Sequence, residues 1–500
     1  MIFLNVYVNV IASFLNIFFL QNFLHVFQLR NYNAKRYLSY FNFKYWIFYT
    51  FLIAIFVVQI LIFNLFFTII SNIILLLISP LIYQKICLNK KTPLIYTGRL
   101  KRIYLLASIL IILPIFFKKM LILSHICMIF APIFANCLNF YDKLLNHKFI
   151  KKAQIKLKNS RAKVIAITGS NGKTTVKNIL YEMLKTQFKV IASPQSFNTP
   201  IGIAKFLNNS NLNVDFIILE YGARHKNDIK NLCKIFGANY GILTQISPQH
   251  LQTFKDIKNI AKAKGKLSEF LNFKPCIFNT DNRLLFDMYI DKPGIKFSTS
   301  IENESADFYA NKITVKNFKT SFVFNHKNNK FSCQTKLLGK HNVTDIMLAS
   351  ALAINLGISI ENIKFAISNL KPIPHRLEYL KGAINILDDS YNCSLTSAKE
   401  AVEVLSFCEN KTMIVTPGII EAGKNQFEIN FQLGELISKS DMIVIVGKTN
   451  KQALTKGIMS ANPTKKILFA NTLDDAKQYF RLLNQNDTLL LLNDLPDDYI

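Results

Sequence analysis

Hydrophobic positions divide the chain into two regimes. Residues 1–29 carry no Asp, Glu, Lys or Arg, and residues 45–84 carry none either. One membrane crossing takes roughly 20 apolar residues. The front of the chain therefore predicts an all-α transmembrane domain over 1–145, with about five spans near 3–28, 45–63, 66–84, 102–118 and 120–140. From Lys163 the pattern changes. Short β-branched runs alternate with helical stretches: VIAIT (164–168), VIAS (190–193), FIILEYG (216–222), YGILTQI (240–246) and CIFNT (276–280). Strands separated by helices predict a doubly wound, mostly parallel α/β sheet. Residues 296–338 alternate polar and apolar positions and predict antiparallel strands. After Pro372 and Pro374 a second series begins, INILDDS, TMIVTPG, DMIVIVG, KILFA and TLLLL, which reads as a Rossmann-like unit. The domains expected are 1–145, 146–372 and 373–500.

Charge adds an orientation and a class of partner. Lys and Arg total 60 against 31 Asp and Glu, a net charge of +29. Half the residues are hydrophobic, which excludes a disordered chain. Apart from Lys118-Lys119, which would fall on the outer side, the basic residues of the front part form three clusters: Arg30 to Lys44, Lys85 to Arg102, and Lys143 to Lys158. With alternating loops all three lie on one side, and the positive-inside rule makes that side cytoplasmic. A multi-pass protein of the bacterial inner membrane, its larger part in the cytoplasm, is the expected localisation. The basic run 148–163 lacks interleaved aromatics, so it is assigned to a membrane lipid surface and not to nucleic acid. The eight cysteines form no CxxC pair, as reduced thiols would.

The strongest chemistry follows the first strand. VIAITGSNGKTTVKNILYEML reads as strand, Gly-rich loop and helix. Gly169 and Gly172 let backbone approach a phosphate, Lys173 can reach its oxygens and Thr174 can hold Mg²⁺. The first Gly of the longer phosphate-loop pattern is absent; Ile167 stands there. The other candidates are weak alone. Glu220 at a strand end reads as a solvated carboxylate, His250 as structural, Lys264 as one lysine of a basic helix face, and Asp388-Asp389 as a turn or cap.

Taken in order, these segments resemble the Mur ligases, ATP-dependent amide-bond-forming enzymes of peptidoglycan synthesis. TGSNGKTT resembles the family's ATP loop. SFNTPIG (196–202), LEYGARHKNDI (219–229), SPQHL (247–251), AKAKGKL (261–267), GKHNVTDIMLASALA (339–353) and HRLE (375–378) follow in the family's order. DDSYNCSLTS (388–397) and TPGIIEAG (416–423) most resemble the member that adds D-alanyl-D-alanine to UDP-N-acetylmuramoyl-tripeptide. The resemblance covers about the last two-thirds of the chain.

It implies ATP and two Mg²⁺ ions, and a role for each residue. Lys173, Lys264 and Arg376 would be catalytic. Gly169, Ser170, Asn171, Gly172, Lys173, Thr174, Thr175, Asn279, His341, Asn342, Asp345, Arg376 and Asp389 would bind ATP. Thr174, Glu220, His250 and Lys264 would hold metal, with Lys264 carbamylated by CO₂. The step that loads the product onto a membrane lipid carrier is an implied partner. The family usually has Asn at Asp345, Glu at Lys266 and Pro at Leu395, and a uridine-binding domain in place of the apolar front. Three readings stand beside this one: an amide ligase for another amino acid, a phosphate-loop membrane transporter, and an inactive wall-synthesis scaffold.

Overall fold

The computed structural model describes residues 94–112, 139–194, 197–248, 251–391, 393–420 and 425–493, with isolated positions before residue 94 and at 130 and 133. It divides into two compact units, one ending at His147 and one beginning at Lys148. In the first unit the helix Gly98–Ile112 buries Leu100, Ile103, Ala107 and Ile111 along one stripe. Gln28 exchanges two hydrogen bonds with the Ile95 backbone, at 2.8 and 3.1 Å.

Among the described residues no helix is long and apolar enough to cross a membrane. The multi-pass localisation is corrected on this finding, and the expected transmembrane domain and membrane-lipid partner gain no support from it. The spans expected near 45–63 and 66–84 lie outside the described residues, as do most of 120–140 and parts of 3–28 and 102–118. An uncharged run specifies apolar surface to bury, and here the stripe Leu100–Ile111 is buried within its own unit. Most of the basic run 148–163 belongs to the helix Asn139–Lys158, which turns one face inward. Ile150, Ala153 and Leu157 pack into the core of the second unit. Lys156 Nζ donates to the carbonyls of Leu207, Asn208 and Ser210 at 3.0, 2.9 and 2.6 Å, closing the end of the helix Pro200–Asn209.

The second unit is built on two sheets. The nine-stranded sheet has the order β2-β3-β1-β4-β5-β6-β7-β8-β9. Its strands are β1 Lys163–Thr168, β2 Val190–Ala192, β3 Phe216–Glu220, β4 Tyr240–Leu243, β5 Cys276–Asn279, β6 Lys296–Ser300, β7 Phe308–Lys316, β8 Lys319–His326 and β9 Asn329–Thr335. Neighbours from β2 through β7 pair parallel, and β7-β8-β9 pair antiparallel. Alternate residues of β1 serve opposite faces. Ile165 and Ile167 meet the helices Lys173–Leu184 and Lys340–Asn355. Val164 and Ala166 meet the helices Pro200–Asn209, Asp228–Phe236 and Ile257–Leu271. Both faces are covered, so β1 reads as an unbroken apolar run.

One expectation differs. β6, expected among antiparallel strands, pairs parallel with β5. Its sequence KFSTS looked half-exposed, yet Ser298, Thr299 and Ser300 are buried. Their hydroxyls are paired, Ser298 with Asp307 at 2.8 Å, Thr299 with the Phe278 carbonyl at 3.3 Å and Ser300 with Asp281. Hydrogen bonding made burial of polar residues tolerable.

The six-stranded sheet has the order β10-β11-β15-β12-β13-β14. β10 Glu378–Lys381 runs antiparallel to β11 Asn385–Asp389; β15 Thr488–Leu492, β12 Thr412–Thr416, β13 Met442–Val446 and β14 Ile467–Ala470 complete a parallel set. The helix Leu395–Leu405 follows β11 and starts with a capping box between Ser394 and Ser397.

Candidate active site

β1 lies between β3 and β4, where the strand order reverses. Such a switch point opens a crevice at the carboxyl ends of the strands. The loop Gly169–Gly172 fills it and leads into the helix Lys173–Leu184. Gly172 has φ 78°, a left-handed conformation that glycine adopts freely. A Cβ at Gly169 would collide with the Thr244 hydroxyl, and one at Gly172 with the Asp345 carboxylate. The loop is stitched to the segment after β4: Ser170 N–H donates to the Gln245 carbonyl at 2.6 Å, and Ser170 Oγ to that of Ser247 at 3.1 Å. Lys173 Nζ folds over the loop and donates to the Ser170 carbonyl at 2.7 Å. Burial lowers its pKa; Glu220 opposes this and Arg376 reinforces it.

Glu220 ends β3 and is 2% exposed. Thr174 Oγ1 donates to its Oε2 at 2.7 Å, and Asn198 Nδ2 to its Oε1 at 3.0 Å. Lys177 Nζ lies 3.7 Å from Oε2 and is 1% exposed. A carboxylate beside a hydroxyl at the phosphate loop is a hard-oxygen donor set, which fits Mg²⁺ completed by phosphate and water. Among the described residues no cluster of three or more His, Cys, Asp or Glu forms a metal cage. His250, the other expected protein ligand, lies outside the described residues.

Lys264 sits on the helix Ile257–Leu271, whose start is capped by Asp256 accepting from Asn259 N–H at 2.7 Å. It is buried, and its Nζ donates to the Gly169 carbonyl at 2.6 Å. Burial first, and Lys173 second, hold its pKa well below the ordinary lysine value.

The facing wall carries the remaining candidates. Asn342 Nδ2 lies 3.0 Å from His341 Nε2 and donates to the Leu338 carbonyl at 2.7 Å. His341 Nδ1 stands 2.9 Å from Glu400 Oε2 on the helix Leu395–Leu405. Burial would lower the His341 pKa, but Glu400, aided by Asp345 and Asp389, overrides it and raises it to about 9. Lys340 Nζ pairs with Glu403 at 2.8 Å beside it. Burial raises Asp345 to about 8 and Asp389 to about 6, with His341 opposing both. Asp389 Oδ1 accepts from Leu377 N–H at 3.1 Å. The Arg376 guanidinium lies 4.5 Å from the Tyr391 ring centroid.

One cleft of about 1450 Å³ collects these groups. Ser170 to Thr175, Glu220, Lys264, Asn279, His341, Asn342, Asp345, Arg376 and Asp389 all line it. Gly169 does not; it supports the loop from behind through its carbonyl.

Known proteins can be set beside this geometry. Residues 167–353 match the Mur ligase middle domain. The MurF ligase of Thermotoga maritima in complex with ADP aligns with a TM-score of 0.63 at 23% identity, over 70% of this chain and 80% of that one. MurF from Acinetobacter baumannii gives 0.63 at 24% identity, over 70% and 77%. The fold is that of the Mur ligases. Two curated relatives are named UDP-N-acetylmuramoyl-tripeptide–D-alanyl-D-alanine ligase. That of Escherichia coli (strain K12) is 29% identical over 295 residues, 57% of this chain and 65% of that protein. That of Bacillus subtilis (strain 168) is 30% identical over 293 residues, 57% and 63%. The chain thus spans 65% or less of the length of these relatives.

Within this Mur ligase fold, the sequence reading gave no role to two neighbours of the site, Lys177 and Glu400, and did not pair two others. Lys177 lies one turn beyond Thr174 and carried no motif of its own. Glu400 reaches His341 only through the folding of the two sheets onto one cleft. His375 and Asp388, 2.8 Å apart, flank the arginine and the Asp389 strand end. The HRLE and DDSYN segments held both residues, but their pairing could not be read from spacing.

Proposed function

We propose that this chain is an ATP-dependent ligase that joins D-alanyl-D-alanine to UDP-N-acetylmuramoyl-tripeptide, a step of peptidoglycan precursor synthesis. The observation that carries the reading is the convergence of Lys173, the Thr174–Glu220 pair and Arg376 on one cleft. The names of the curated relatives support the choice of substrates. Residues 146–372 would supply most of the nucleotide site, with Arg376 and Asp389 added from 373–500.

A carboxylate oxygen of the tripeptide attacks the γ-phosphorus of ATP, and ADP leaves. The dipeptide amine then attacks the acyl phosphate carbonyl; the amide forms, and phosphate and a proton leave. Two anions must meet in the first step, so cations do most of the work. Lys173 and the loop N–H groups neutralise the β- and γ-phosphates. Arg376 holds the transferring phosphoryl group from the opposite wall. Thr174 and Glu220 would hold Mg²⁺, which supplies charge neutralisation at the phosphates. Asp389 would orient the ribose region, and Asn279, His341, Asn342 and Asp345 the rest of the nucleotide.

Lys264 would act as a carbamate. Its buried amine has the lowered pKa that attack on CO₂ requires, and the carbamate would be a carboxylate-like ligand able to hold a second ion. Labelled bicarbonate tests this: a carbamate carbon signal that vanishes in Lys264→Arg is expected, and no signal in wild type refutes it.

The decisive experiment for the reaction is phosphate release by purified protein with ATP, UDP-N-acetylmuramoyl-tripeptide and D-alanyl-D-alanine present or withheld. Release that requires both acceptors, with the pentapeptide product seen by mass, is expected. Release without either acceptor refutes the ligase reading. Release with a different amino acid at equal rate moves the substrate assignment to another amide ligase.

A further inference from the structure

The segment that carries Arg376 is held in a conformation its residues disfavour. His375 has φ 62° and Leu377 has φ 49°. Both neighbours of the arginine are left-handed, and neither is glycine. Such backbone persists only where the surroundings over-determine it, and it clusters at functional sites. The anchors here are specific. His375 Nδ1 meets Asp388 Oδ2 at 2.8 Å. The His375 carbonyl accepts from Tyr391 N–H at 3.1 Å, and its N–H donates to Glu378 Oε2 at 3.3 Å. Leu377 N–H donates to Asp389 Oδ1 at 3.1 Å, while its side chain is buried in the core of the six-stranded sheet. Asp388 is fixed in turn, its Oδ1 accepting from Ser390 N–H at 3.1 Å and Ser390 Oγ at 2.6 Å. Arg376 and Tyr391 line the cleft; His375 and Asp388 are not among its lining residues.

We propose that the His375–Asp388 pair is a positioning device for Arg376. It clamps strained backbone against the end of β11, so that the guanidinium enters the cleft in one orientation over Tyr391. His375 and Asp388 touch no reacting atom; they act through the arginine. The proposal rests on the reading of Arg376 as the clamp on the transferring phosphoryl group. It predicts an effect on phosphoryl transfer and none on nucleotide capture. A glycine at 375 would take the same φ freely, and would lose the pair with Asp388.

The test uses the full chain and three readouts. Acyl phosphate is trapped by hydroxylamine, which displaces phosphate to give a hydroxamate. ADP affinity is measured by calorimetry. Side-chain mobility of Arg376 is read from the NMR signal of its Nε–H group. In His375→Gly, kcat and trapped acyl phosphate are expected to fall together about tenfold, with KM for ATP and Kd for ADP within about twofold. Asp388→Asn is expected to lose about fivefold with the same split. In an Arg376→Lys background His375→Gly is expected to cost nothing more, because both changes remove one function. The Arg376 signal is expected to be restricted in wild type and mobile in both variants.

Full kcat in His375→Gly, or losses that multiply with that of Arg376→Lys, overturns the proposal. Weakened ADP binding in a folded variant does so as well. If wild type makes no acyl phosphate, the ligase reading fails. The NMR readout then still decides the positioning device, since an arginine equally restricted in wild type and both variants refutes it without any turnover.

Discussion

Lys264 Nζ donates to the carbonyl oxygen of Gly169 over 2.6 Å, so a buried lysine ties the helix Ile257–Leu271 to the first residue of the phosphate loop. Its ammonium has no carboxylate at that contact, and burial pushes its pKa down. Lys264→Ala is expected to lower turnover about 100-fold, and about 50 mM acetate, a stand-in for a carbamate, to restore part of it. Steady-state rates with and without acetate check this. Equal rates in wild type and variant would remove Lys264 from the mechanism.

Glu220 and Lys177 form a buried pair, 2% and 1% exposed. Removing one member of such a pair leaves the other uncompensated, at a cost of about 3–5 kcal/mol. Glu220→Gln is therefore expected to lower the urea midpoint, with a loss near the bottom of that range because Thr174 and Asn198 remain to bond the amide. The same variant is expected to raise the Mg²⁺ concentration needed for half-maximal rate by about tenfold. A Mg²⁺ titration of the activity measures it.

Asp345 faces the phosphate loop with its pKa raised to about 8, chiefly by burial. The folded chain therefore holds this proton to a higher pH than the unfolded chain, whose value is near 3.8. The folded state binds more protons, so stability from this group falls as pH rises from about 4 to about 8 and levels off above. The slope is at most about 1.4 kcal/mol per pH unit. Asp345→Asn is expected to flatten the decline, so that its urea midpoint exceeds that of wild type at pH 8 more than at pH 5. A protonated carboxyl also donates a hydrogen bond, as the family's usual Asn would.

Glu400 overrides the burial of His341 and carries its pKa to about 9. A raised histidine contributes stability fully below its unfolded value of 6.5 and loses it as pH climbs through 9. Glu400→Gln is expected to drop the His341 pKa by more than about one unit, since its principal partner is lost. Ring-proton shifts followed from pH 5 to 10 check the change, and an unmoved titration would discard the pair.

Much of the Gly169–Lys173 side of the cleft was legible because its residues are neighbours in sequence. GSNGKTT announces a strand, a turn and a helix start within one short stretch, and each step has a local physical cause. β1, β3, β4 and β5 were equally plain as apolar runs, since sheets covered on both faces need no alternation. β6 was misjudged because its buried hydroxyls are satisfied by Asp307, Phe278 and Asp281, partners that spacing does not reveal. Lys177 carried no motif of its own, and only the fold sets it against Glu220. The front of the chain misled for a different reason. Freedom from charge says that surface is apolar, and says nothing of helix length or of what covers it.

Two ion pairs, Lys340 with Glu403 and His341 with Glu400, run between the helix that follows the nine-stranded sheet and the helix that follows β11. The first lies half in solvent, where mobile ions compete for it within a Debye length of about 8 Å at physiological salt. The second is more sheltered and gives way less. Ionic strength therefore acts on the seam unevenly: added salt loosens the outer pair first and leaves the inner one to hold the two helices together.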